Sequence, residues 1–350
     1  MLLQENVPLA PLTTFRLGGP ARFLVEATSI GEVQEAVAFA RSKNLTLFVL
    51  GGGSNLLVAD SGWPGLVLKV AVPGIERRSG DIDGKALFDV GAGESWDRFV
   101  SHAVIAQCAG VECLSGIPGS VGGTPVQNVG AYGQEVSETI ESIQVLDLQD
   151  GQVRELCREA CGFTYRSSIF NTTERGRFII LSVAYTLTPG GEPRIGYADL
   201  KRHFEGRETL PNLAETREAV RHIRALKGML IVAGDADCQS AGSFFKNPVI
   251  SPEKHEDLRK RAAAKGLMLP SYPALEKSKK ISAAWLVERS GFARGYGFGH
   301  VGISSKHALA IVNRGGATAD EVLALKDQIQ QRVEEIWGVR LEPEPVMVGF

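Results

Sequence analysis

The chain has 350 residues, 44% of them hydrophobic, which is enough for two or three domains with packed cores. Its formal net charge of −2 argues against a nucleic-acid or membrane-surface partner, because both attract basic proteins. No apolar run reaches the roughly 18 residues of a membrane span, and no basic start precedes an apolar stretch, so we expect a cytoplasmic protein.

The five cysteines and six histidines are not spaced as metal ligands. No two cysteines form CxxC, no HExxH occurs, and the histidines do not cluster with the cysteines. We therefore expect free thiols in a reducing compartment and no metal site.

The first 190 residues predict strands with intermittent helices. Ser29 and Glu32 have capping-box spacing at the start of a helix that extends to about Asn44. Asp150-Gly151 indicates a hairpin turn. This mixture lacks the regular alternation of a doubly wound fold and indicates an α+β fold. Residues 13–27 predict a turn that leads into a strand. The other predicted elements are strands at 45–50, 65–70, 86–90, 140–148, 153–156 and 178–187, and a helix at 95–109 followed by Gly110.

The remaining residues are mainly helical in pattern. Thr318 and Glu321 form a second capping box, and the helix that they begin extends to Trp337 and is followed by Gly338. The other predicted elements are helices at 214–227, 253–266 and 282–291 and a closing strand at 339–350.

Two glycine-rich stretches indicate a site for a phosphate-bearing ligand. Residues 50–58 (LGGGSNLLV) follow a predicted strand, and residues 113–133 (CLSGIPGSVGGTPVQNVGAYG) contain no charged side chain. Apolar residues such as Val121 within the second stretch favour burial over a flexible linker. Successive backbone N–H groups in such loops bind anions, so two loops suggest one long ligand with a pyrophosphate, such as a dinucleotide.

A third glycine pattern does not indicate a binding site for a dinucleotide. Gly297, Gly299 and Gly302 match GxGxxG, but the preceding SGFARGY is not a strand. A dinucleotide-binding fingerprint needs a strand before it and a helix after it. The pattern therefore predicts a tight or mobile loop.

Three short motifs each leave two interpretations open. In FTYRSSIF (163–170), Arg166 either pairs with a carboxylate or lies on the surface. In SAGSFFKNP (240–248), Ser243 either donates a proton beside a positive charge or ends a buried strand. In LEPEP (341–345), Glu342 and Glu344 point the same way if the segment is extended, or are ordinary surface glutamates.

Taken in order, GGGSN, IPGSVGGTPVQNVGAYG, YRSSIF, AGSFFKNP and LEPE resemble the UDP-N-acetylenolpyruvoylglucosamine reductase (MurB) family, from about Thr13 to the C-terminus. The resemblance implies an oxidoreductase with FAD, with NADPH as hydride donor, that reduces UDP-N-acetylglucosamine enolpyruvate to UDP-N-acetylmuramate. It places the reaction in cytoplasmic peptidoglycan synthesis, and hence in cell wall biogenesis, cell shape, the cell cycle and cell division. In the implied mechanism NADPH reduces the flavin, whose N5 then passes hydride to C3 of the enolpyruvyl group.

The resemblance also implies a VAO/PCMH-type FAD-binding fold of two α+β subdomains plus a C-terminal α+β substrate-binding domain. The FAD-binding region would span about residues 13–189. The implied boundaries are 1–70 and 71–190 for the two FAD-binding subdomains, 191–335 for the substrate-binding domain and 336–350 for a C-terminal strand carrying the catalytic glutamate.

By resemblance the catalytic residues are Arg166, Ser243 and Glu344. Ser243 would protonate C2, and Arg166 and Glu344 would contact the enolpyruvyl carboxylate. A glutamate beside developing negative charge helps only when it is protonated or shares a proton, so we expect Glu344 to have a raised pKa. The implied substrate-binding residues are Tyr165, Tyr197, Lys227 and Asn247.

The implied cofactor-binding residues lie in the two glycine-rich loops. Many oxidases of this fold have a flavin-linking histidine in or near the first loop, but none occurs here, so the FAD is expected to be noncovalent. These residues are Leu50, Gly51, Gly52, Gly53, Ser54, Asn55, Ile117, Pro118, Gly119, Ser120, Gly122, Gly123, Gln127, Asn128, Gly130, Ala131, Tyr132 and Gly133.

Tyr197, in GYADL, resembles the tyrosine loop of type I members of the family. Two segments depart from the common type I pattern. Lys227 is followed by Gly228-Met229 without the usual proline, and residues 240–242 read SAG where many members read NAG. We expect a monomer that binds a small-molecule substrate.

Two other functions are consistent with parts of the sequence. One is a noncovalent-FAD oxidoreductase of the same fold with a different substrate, against which AGSFFKNP and LEPE argue. The other is a catalytically silent flavin-binding scaffold, which would not need Arg166, Ser243 and Glu344 together.

Overall fold

A computed structural model describes residues 1–80, 83–274 and 277–350 of the chain. Its helices are α1 (Ile30–Ser42), α2 (Trp96–Ile105), α3 (Ala198–His203), α4 (Leu213–Leu226), α5 (Pro252–Ala263), α6 (Ala283–Glu288) and α7 (Ala319–Trp337). Its strands are β1 (Leu3–Pro8), β2 (Pro20–Ala27), β3 (Leu47–Leu50), β4 (Leu56–Val58), β5 (Trp63–Val70), β6 (Ile75–Arg77), β7 (Ala86–Gly91), β8 (Cys108–Ala109), β9 (Gly130–Ala131), β10 (Gln134–Glu135), β11 (Ile140–Asp147), β12 (Val153–Cys157), β13 (Phe178–Pro189), β14 (Val249–Ile250), β15 (Ser271–Pro273), β16 (Lys279–Ile281), β17 (Gly297–Phe298), β18 (Val301–Ile303), β19 (Ile311–Asn313) and β20 (Val346–Val348).

Both predicted capping boxes begin helices. Thr318 Oγ1 accepts the Glu321 amide at 3.1 Å, and Glu321 Oε2 accepts the Thr318 amide at 3.0 Å, so both halves of the α7 box are formed. At α1 the Ser29 hydroxyl accepts from Glu32, but the Glu32 carboxylate bonds the amide of Thr28 instead. The spacing therefore predicted both helix starts correctly. At α1 the glutamate bonds the amide one residue before the N-cap serine.

Contacts within the chain define two units. Neither unit is one continuous segment, because the chain crosses between them several times. The expected boundary near residue 190 does not coincide with the division at Leu226, and the four-part division stays a prediction. Unit 1 comprises Met1–Val7, Ala21–Gly53 and Trp63–Leu226, and unit 2 comprises Pro8–Pro20, Ser54–Gly62 and Lys227–Phe350.

Unit 1 contains a partly parallel and an antiparallel sheet. The first has the strand order β1-β2-β5-β3, with β5 parallel to both β2 and β3. The second has the order β12-β11-β13-β7-β6, and the hairpin predicted at Asp150-Gly151 joins β11 to β12. Buried side chains of α1 and α2, such as Val33, Trp96 and Phe99, belong to the same core as the strands. This arrangement agrees with the predicted α+β class.

In the part of unit 2 that the structure describes, three small sheets surround α7. The sheets have the orders β14-β16-β15, β17-β18-β19 and β20-β4. One face of α7 is buried, as its 3.6-residue periodicity predicts. Phe244 and Phe245 of the SAGSFFKNP motif are buried in the same core as α7. The motif is therefore anchored by its two aromatic side chains.

Several predicted elements are shorter than expected. The helices predicted at 253–266 and 282–291 end at Ala263 and Glu288. Helix α2 ends at Ile105 instead of 109, because Gln107 takes a positive φ of 56° and the chain enters β8, which pairs with β13. The closing strand is limited to Val346–Val348, because Pro343 and Pro345 lack the amide that a longer ladder needs.

The GxGxxG pattern forms a tight hairpin, as predicted. Gly297 pairs with Gly302, and Phe298 pairs with Val301, so two residues turn the chain between β17 and β18. Gly299 has a positive φ of 59° in this turn. No helix begins there, so the pattern lacks the context of a dinucleotide-binding fingerprint.

All five cysteines are free thiols, and only Cys157 is exposed. Across residues 1–80, 83–274 and 277–350, no group of three or more His, Cys, Asp and Glu side chains is placed to hold a metal ion. Within the same ranges, no helix is both long enough and apolar enough to cross a bilayer.

Candidate functional site

The two glycine-rich loops meet in unit 1. An ideal Cβ on Gly52 would lie 2.5 Å from Gly119 Cα and 2.6 Å from Ser120 N, and one on Gly51 would lie 2.8 Å from Ser120 Oγ. Gly119 has a φ of 124°, which side-chain-bearing residues rarely adopt. Glycine is therefore needed in both loops so that their backbones can approach, and the loops form one surface.

The second loop is held by the start of α2. The Trp96 amide donates to Gly119 O at 3.1 Å, and the Val121 amide donates to Glu94 O at 2.9 Å. Trp96 is completely buried beside Phe99. The loop is thus fixed by backbone hydrogen bonds on a packed helix, and the alternative of a flexible linker is wrong.

Asp97 joins the same loop to α4. Its carboxylate accepts the Gly116 amide at 2.6 Å, two bonds from Arg217 at 2.7 and 3.0 Å, and one from Arg221 at 2.7 Å. Burial alone would raise the pKa of Asp97, but the hydrogen bonds from Arg217 and Gly116 lower it below its ordinary value. A fixed negative charge therefore positions the loop from the side of α4.

Ser120 provides the test of whether this surface fits a flavin dinucleotide. Its hydroxyl oxygen is buried and has no hydrogen-bond partner among the described residues. A buried hydroxyl without a partner costs free energy, and a phosphate or ribityl oxygen of a bound cofactor would satisfy it. The glycines beside it have no side chains, so a bound cofactor can come close to their backbone. The residues at this surface therefore fit FAD.

Other predicted cofactor residues at the end of the loop are engaged within the protein. Asn128 is buried with a positive φ of 45°, and its amide group donates to Glu135 at 2.8 Å and to Thr164 O at 3.1 Å. Its side-chain oxygen accepts the amide of Ser137 at 3.1 Å. Asn128 therefore shapes the loop, and a cofactor contact from it would come from its backbone.

Arg166 occupies a tight turn in unit 1. Thr164 and Ser167 exchange two backbone hydrogen bonds, so Tyr165 and Arg166 form the tip between them. Arg166 has a φ of 56°, which is uncommon for a long side chain. Its guanidinium donates to Gly130 O at 3.0 Å and lies 5.4 Å from the Tyr165 ring centre. Arg166 is half-buried and joined to the glycine loop, rather than a surface arginine.

A second arginine lies near this loop and was not singled out from the sequence. Arg224 on α4 is 9% exposed, and it interacts with Tyr132. Burial lowers the pKa of Arg224, and Tyr132 and Asp97 partly offset this by favouring the charged form. The Tyr132 ring meets the ring of Tyr197 edge to face at 5.4 Å. Nothing in the local spacing distinguishes Arg224 from Arg217 or Arg221, so only the packing identifies it.

Unit 2 brings Ser243 and Glu344 onto paired segments. The Glu344 amide donates to Phe244 O, and the Lys246 amide donates to Glu342 O, both at 2.9 Å. Glu344 is half-buried, whereas Glu342 is exposed and has Lys246 at 3.6 Å. The residue after Ser243 is thus bonded directly to the predicted catalytic glutamate, although Ser243 and Glu344 lie 101 positions apart in the sequence.

Asn55 from the first glycine-rich loop joins the same part of unit 2. Its side-chain amide donates to Glu344 O at 3.2 Å, and its own carbonyl accepts the Val346 amide at 2.9 Å. The carbonyl of Ser54 accepts from the Thr14 hydroxyl at 3.3 Å. Gly51–Gly53 belong to unit 1, so the predicted cofactor loop contributes residues to both units.

The predicted substrate residues have different environments. Lys227 begins the last segment of unit 2, and Gly228 after it packs near Asp237 and Lys306. Asn247 Oδ1 accepts the Ala283 amide at 2.9 Å, which fixes its side chain at the start of α6. Tyr165 and Tyr197 belong to unit 1 and are exposed.

His307 is a further residue that the sequence patterns did not single out. Its Nε2 lies 3.2 Å from Ser243 Oγ, within hydrogen-bond distance. The two residues are 64 positions apart. No motif joins them, and only the fold of unit 2 places them together.

Two family models match the chain. Residues 21–156 match an FAD binding domain, and residues 234–348 match the C-terminal domain of UDP-N-acetylenolpyruvoylglucosamine reductase. The first match covers most of the strands and helices of unit 1, and the second covers most of unit 2. They confirm the predicted FAD-binding fold with a C-terminal MurB-type domain.

Individual proteins are similar over nearly the full length. The reductases of that name from Streptomyces coelicolor and Thermobifida fusca are each 44% identical over 99% of this chain, covering 90% and 98% of their own lengths. The crystal structure of the MurB enzyme from Thermus caldophilus is 28% identical and aligns over 99% of this chain and 100% of its own, with a TM-score of 0.66. The chain therefore belongs to the UDP-N-acetylenolpyruvoylglucosamine reductase family.

Proposed function

We propose that this chain reduces the enolpyruvyl group of UDP-N-acetylglucosamine enolpyruvate with NADPH, through a noncovalently bound FAD, to give UDP-N-acetylmuramate. Family membership over the whole chain supports the substrate class, and the FAD binding domain supports the cofactor. The observation that carries the chemistry is the backbone pairing of the Ser243 and Glu344 segments. It brings a hydroxyl and a carboxyl group to one part of unit 2, as proton transfer to a substrate carbon requires.

The loop residues would hold the cofactor. The backbone around Gly51, Gly52 and Gly119 and the buried Ser120 hydroxyl would contact its phosphates and ribityl chain. When bound, FAD in its reduced form would supply the hydride that C3 of the enolpyruvyl group receives. No histidine lies in residues 50–55 to form a covalent link.

Ser243 would complete the reduction by protonating C2. Hydride addition at C3 leaves negative charge at C2 that spreads into the carboxylate. The Arg166 guanidinium would neutralise that charge, and its turn conformation and its bond to Gly130 O restrict its position before substrate binds. Glu344 would share a proton with the same carboxylate, which requires the raised pKa expected for it in the complex.

Tyr197, Lys227 and Asn247 would bind the diphosphate of the substrate. The side chain of Asn247 is oriented by its bond to the start of α6, so its amide nitrogen can donate to a phosphate oxygen. Lys227 would add a positive charge. Tyr165, beside Arg166, would contact the enolpyruvyl end.

We further propose that the enzyme acts as a cytoplasmic monomer in peptidoglycan precursor synthesis, and hence in cell wall formation, cell shape and cell division. The family resemblance is the support for this setting. The alternative of a related FAD oxidoreductase with another substrate is not favoured by full-length similarity to reductases of one name.

An anaerobic half-reaction experiment tests the function. NADPH should bleach the flavin absorbance near 450 nm, and UDP-N-acetylglucosamine enolpyruvate should then restore it. Bleaching without return of the absorbance would support FAD as the cofactor but would exclude UDP-N-acetylglucosamine enolpyruvate as the substrate. A third outcome is that NADPH does not bleach the flavin, but the substrate restores the absorbance of chemically reduced enzyme. That outcome would exclude only NADPH as the hydride donor.

The same experiment tests the role of Ser243. We expect Ser243→Ala to keep its flavin reduction by NADPH but to lose reoxidation by substrate by about 10²–10³-fold, because one stabilising group is removed from the transition state. Ser251→Ala changes an exposed serine of the same unit at the start of α5, and as the control it should reoxidise normally. Equal loss of both half-reactions in Ser243→Ala would contradict the proton-donor role.

A further inference from the structure

The hydrogen bond between Ser243 and His307 bears on how the proposed proton donor works. Ser243 Oγ and His307 Nε2 are 3.2 Å apart, and either can donate depending on the protonation of the ring. Both side chains are half-buried. A hydroxyl and an imidazole at this distance form a recurring pair in proton-transfer sites.

Backbone hydrogen bonds hold the two residues in register. The Phe244 amide donates to Leu309 O at 2.8 Å, so the segment after Ser243 lies beside the segment after His307. The completely buried Ser304 hydroxyl accepts the amides of Lys306 and His307 at 3.1 and 3.2 Å. The backbone that carries the imidazole is therefore fixed by a turn whose central hydroxyl is buried.

A second set of bonds anchors that turn. Ser305 donates to Asp237 through its amide at 2.8 Å and its hydroxyl at 2.6 Å, and Lys306 Nζ donates to Asp235 at 2.5 Å. The bond with Asp235 raises the pKa of Lys306, and the bond with Lys306 lowers the pKa of Asp235. Burial alone would raise the pKa of Asp237, but hydrogen bonds from Ser305 and Ser304 lower it.

Both positively and negatively charged side chains lie on the segments that are bonded to His307 and Ser243. Lys306 with Asp235 and Asp237 lie on the side of the turn, and Lys246 with Glu342 and Glu344 lie on the segments paired with Phe244. These groups set the local field in which His307 gains or loses a proton.

A serine hydroxyl is a poor proton donor by itself. Loss of its proton to carbon leaves an alkoxide, which is costly unless a neighbour supplies a proton or positive charge. If His307 were neutral and accepted from Ser243, the serine proton would point away from the substrate. If His307 Nε2 carries a proton, it donates to Ser243 Oγ, and the hydroxyl proton is directed to another acceptor.

We propose that His307 is a positioning and proton-supplying residue that directs the Ser243 hydroxyl toward C2 and reprotonates it. The role depends on the proposed function. As the C2–H bond forms, the Oγ–H bond of Ser243 breaks, and the proton on His307 Nε2 moves to Oγ. The positive charge leaves the imidazole and the negative charge leaves the enediolate, so the step is balanced. The neutral imidazole then regains a proton from water.

Single-turnover reoxidation of the reduced enzyme by substrate tests this role across pH. In the wild type we expect the rate to fall as the pH rises through the range near 6.5 where imidazolium ordinarily loses its proton. His307→Gln can donate a hydrogen bond to Ser243 but cannot titrate, so its profile should be flat there. Its rate at low pH should be about 10²-fold below that of the wild type.

Two matched controls separate this role from a structural one. His300→Gln changes an exposed histidine of unit 2 that pairs with Glu321, and it should keep the wild-type rate and profile. Flavin reduction by NADPH should be unchanged in both variants. A wild-type pH profile in His307→Gln, or equal slowing of both half-reactions, would overturn the proposal.

A second readout does not depend on turnover. In ¹⁵N-histidine NMR spectra of the holoenzyme, Ser243→Ala should shift the His307 resonances and their titration and leave those of His300 in place. Unchanged His307 resonances would overturn the hydrogen bond on which the role rests. If wild-type enzyme is reduced but not reoxidised by the substrate, the proposed function fails, and the NMR result still decides the Ser243–His307 contact.

Discussion

Gly52 shows how a single missing side chain allows a binding surface to form. A Cβ at this position would lie 2.5 Å from Gly119 Cα and 2.6 Å from Gly119 C, closer than real side chains approach backbone. The atoms in the way are backbone, which cannot turn aside as the end of a flexible side chain can. The contact therefore requires glycine at 52, although the two loops are far apart in the sequence.

We expect Gly52→Ala to weaken FAD binding at least about tenfold, equivalent to about 1.4 kcal/mol, because the added methyl group separates the two loops. The measurement is the flavin content of purified protein and its dissociation constant. Gly31→Ala in α1 is the control, since its Cβ would meet no atom within 4 Å, and it should retain full flavin. Normal flavin content in Gly52→Ala would contradict the close contact.

Ser243 and Glu344 illustrate the limit of motif recognition at the residue scale. AGSFFKNP and LEPE predict catalytic roles for Ser243 and Glu344, and these roles stay predictions. The structure adds that the Glu344 amide is bonded to Phe244 O. The raised pKa of Glu344 stays a prediction, because it depends on the negative charge of a bound substrate. His307 belongs to no motif, so its position beside Ser243 required the fold.

Helix α7 has two sources of capping at its first turn. Thr318 and Glu321 form the predicted box within the sequence. In addition, the Asp60 carboxylate accepts the amides of Ala319 at 2.9 Å and Asp320 at 3.2 Å, from a position more than 250 residues earlier. The second contact satisfies two otherwise unpaired N–H groups and places negative charge at the positive end of the helix.

We expect Asp60→Ala to destabilise unit 2 by about 1 kcal/mol, the usual cost of losing a helix cap. Chemical denaturation monitored by circular dichroism would measure the change. Asp320→Ala is the matched control, because it removes an exposed negative charge from the same turn without breaking those two bonds. Equal effects of the two substitutions would assign the loss to charge alone and contradict a specific cap.

Helix α2, whose predicted length was wrong, shows the same limit at the element scale. Trp96, Phe99 and Val100 correctly predicted the buried face of α2, but periodicity did not show where the helix stops. It ends because Gln107 turns the chain into β8, whose partner β13 lies about 80 residues later. Strand and helix ends depend on such partners, which no local window contains.

At the scale of the whole molecule, one buried carboxylate ties the antiparallel sheet to its loops. Asp147 at the end of β11 accepts three bonds from Arg177 at 2.8 to 3.2 Å, one from Arg154 at 3.3 Å and one from the Gln149 amide at 3.0 Å. The hydrogen bonds from Arg177 lower the pKa of Asp147 to about 2. The ordinary value of about 3.9 applies when the chain is unfolded.

The pKa of Asp147 is lower in the folded state, so its carboxylate stabilises the protein above about pH 4, and this contribution is lost as the pH falls toward 2. We expect Asp147→Asn to lower the denaturation midpoint at pH 7 and to reduce its dependence on pH below 4. Guanidinium titrations from pH 7 to pH 3 would measure both. Asp150→Asn, an exposed partner of Arg154, is the control and should keep the wild-type acid dependence. A wild-type acid dependence in Asp147→Asn would contradict the assignment.

Local patterns were sufficient for the class of fold, most helix starts, the two glycine-rich loops and the family. Capping boxes, hairpin turns and apolar periodicity each depend on residues a few positions apart, so their physical cause lies within a short segment. The GxGxxG hairpin was predicted in the same way, because the required strand and helix were missing from its neighbourhood.

Tertiary structure alone decided which distant residues meet. The contact of Gly52 with Gly119, the cap from Asp60, the buried Arg224 and the bond between Ser243 and His307 join residues that no short motif links. Each depends on packing and strand pairing that are satisfied only when the whole unit has folded. The residue types of the predicted site can therefore be identified along the chain, but the contacts that bring them together arise only from the fold.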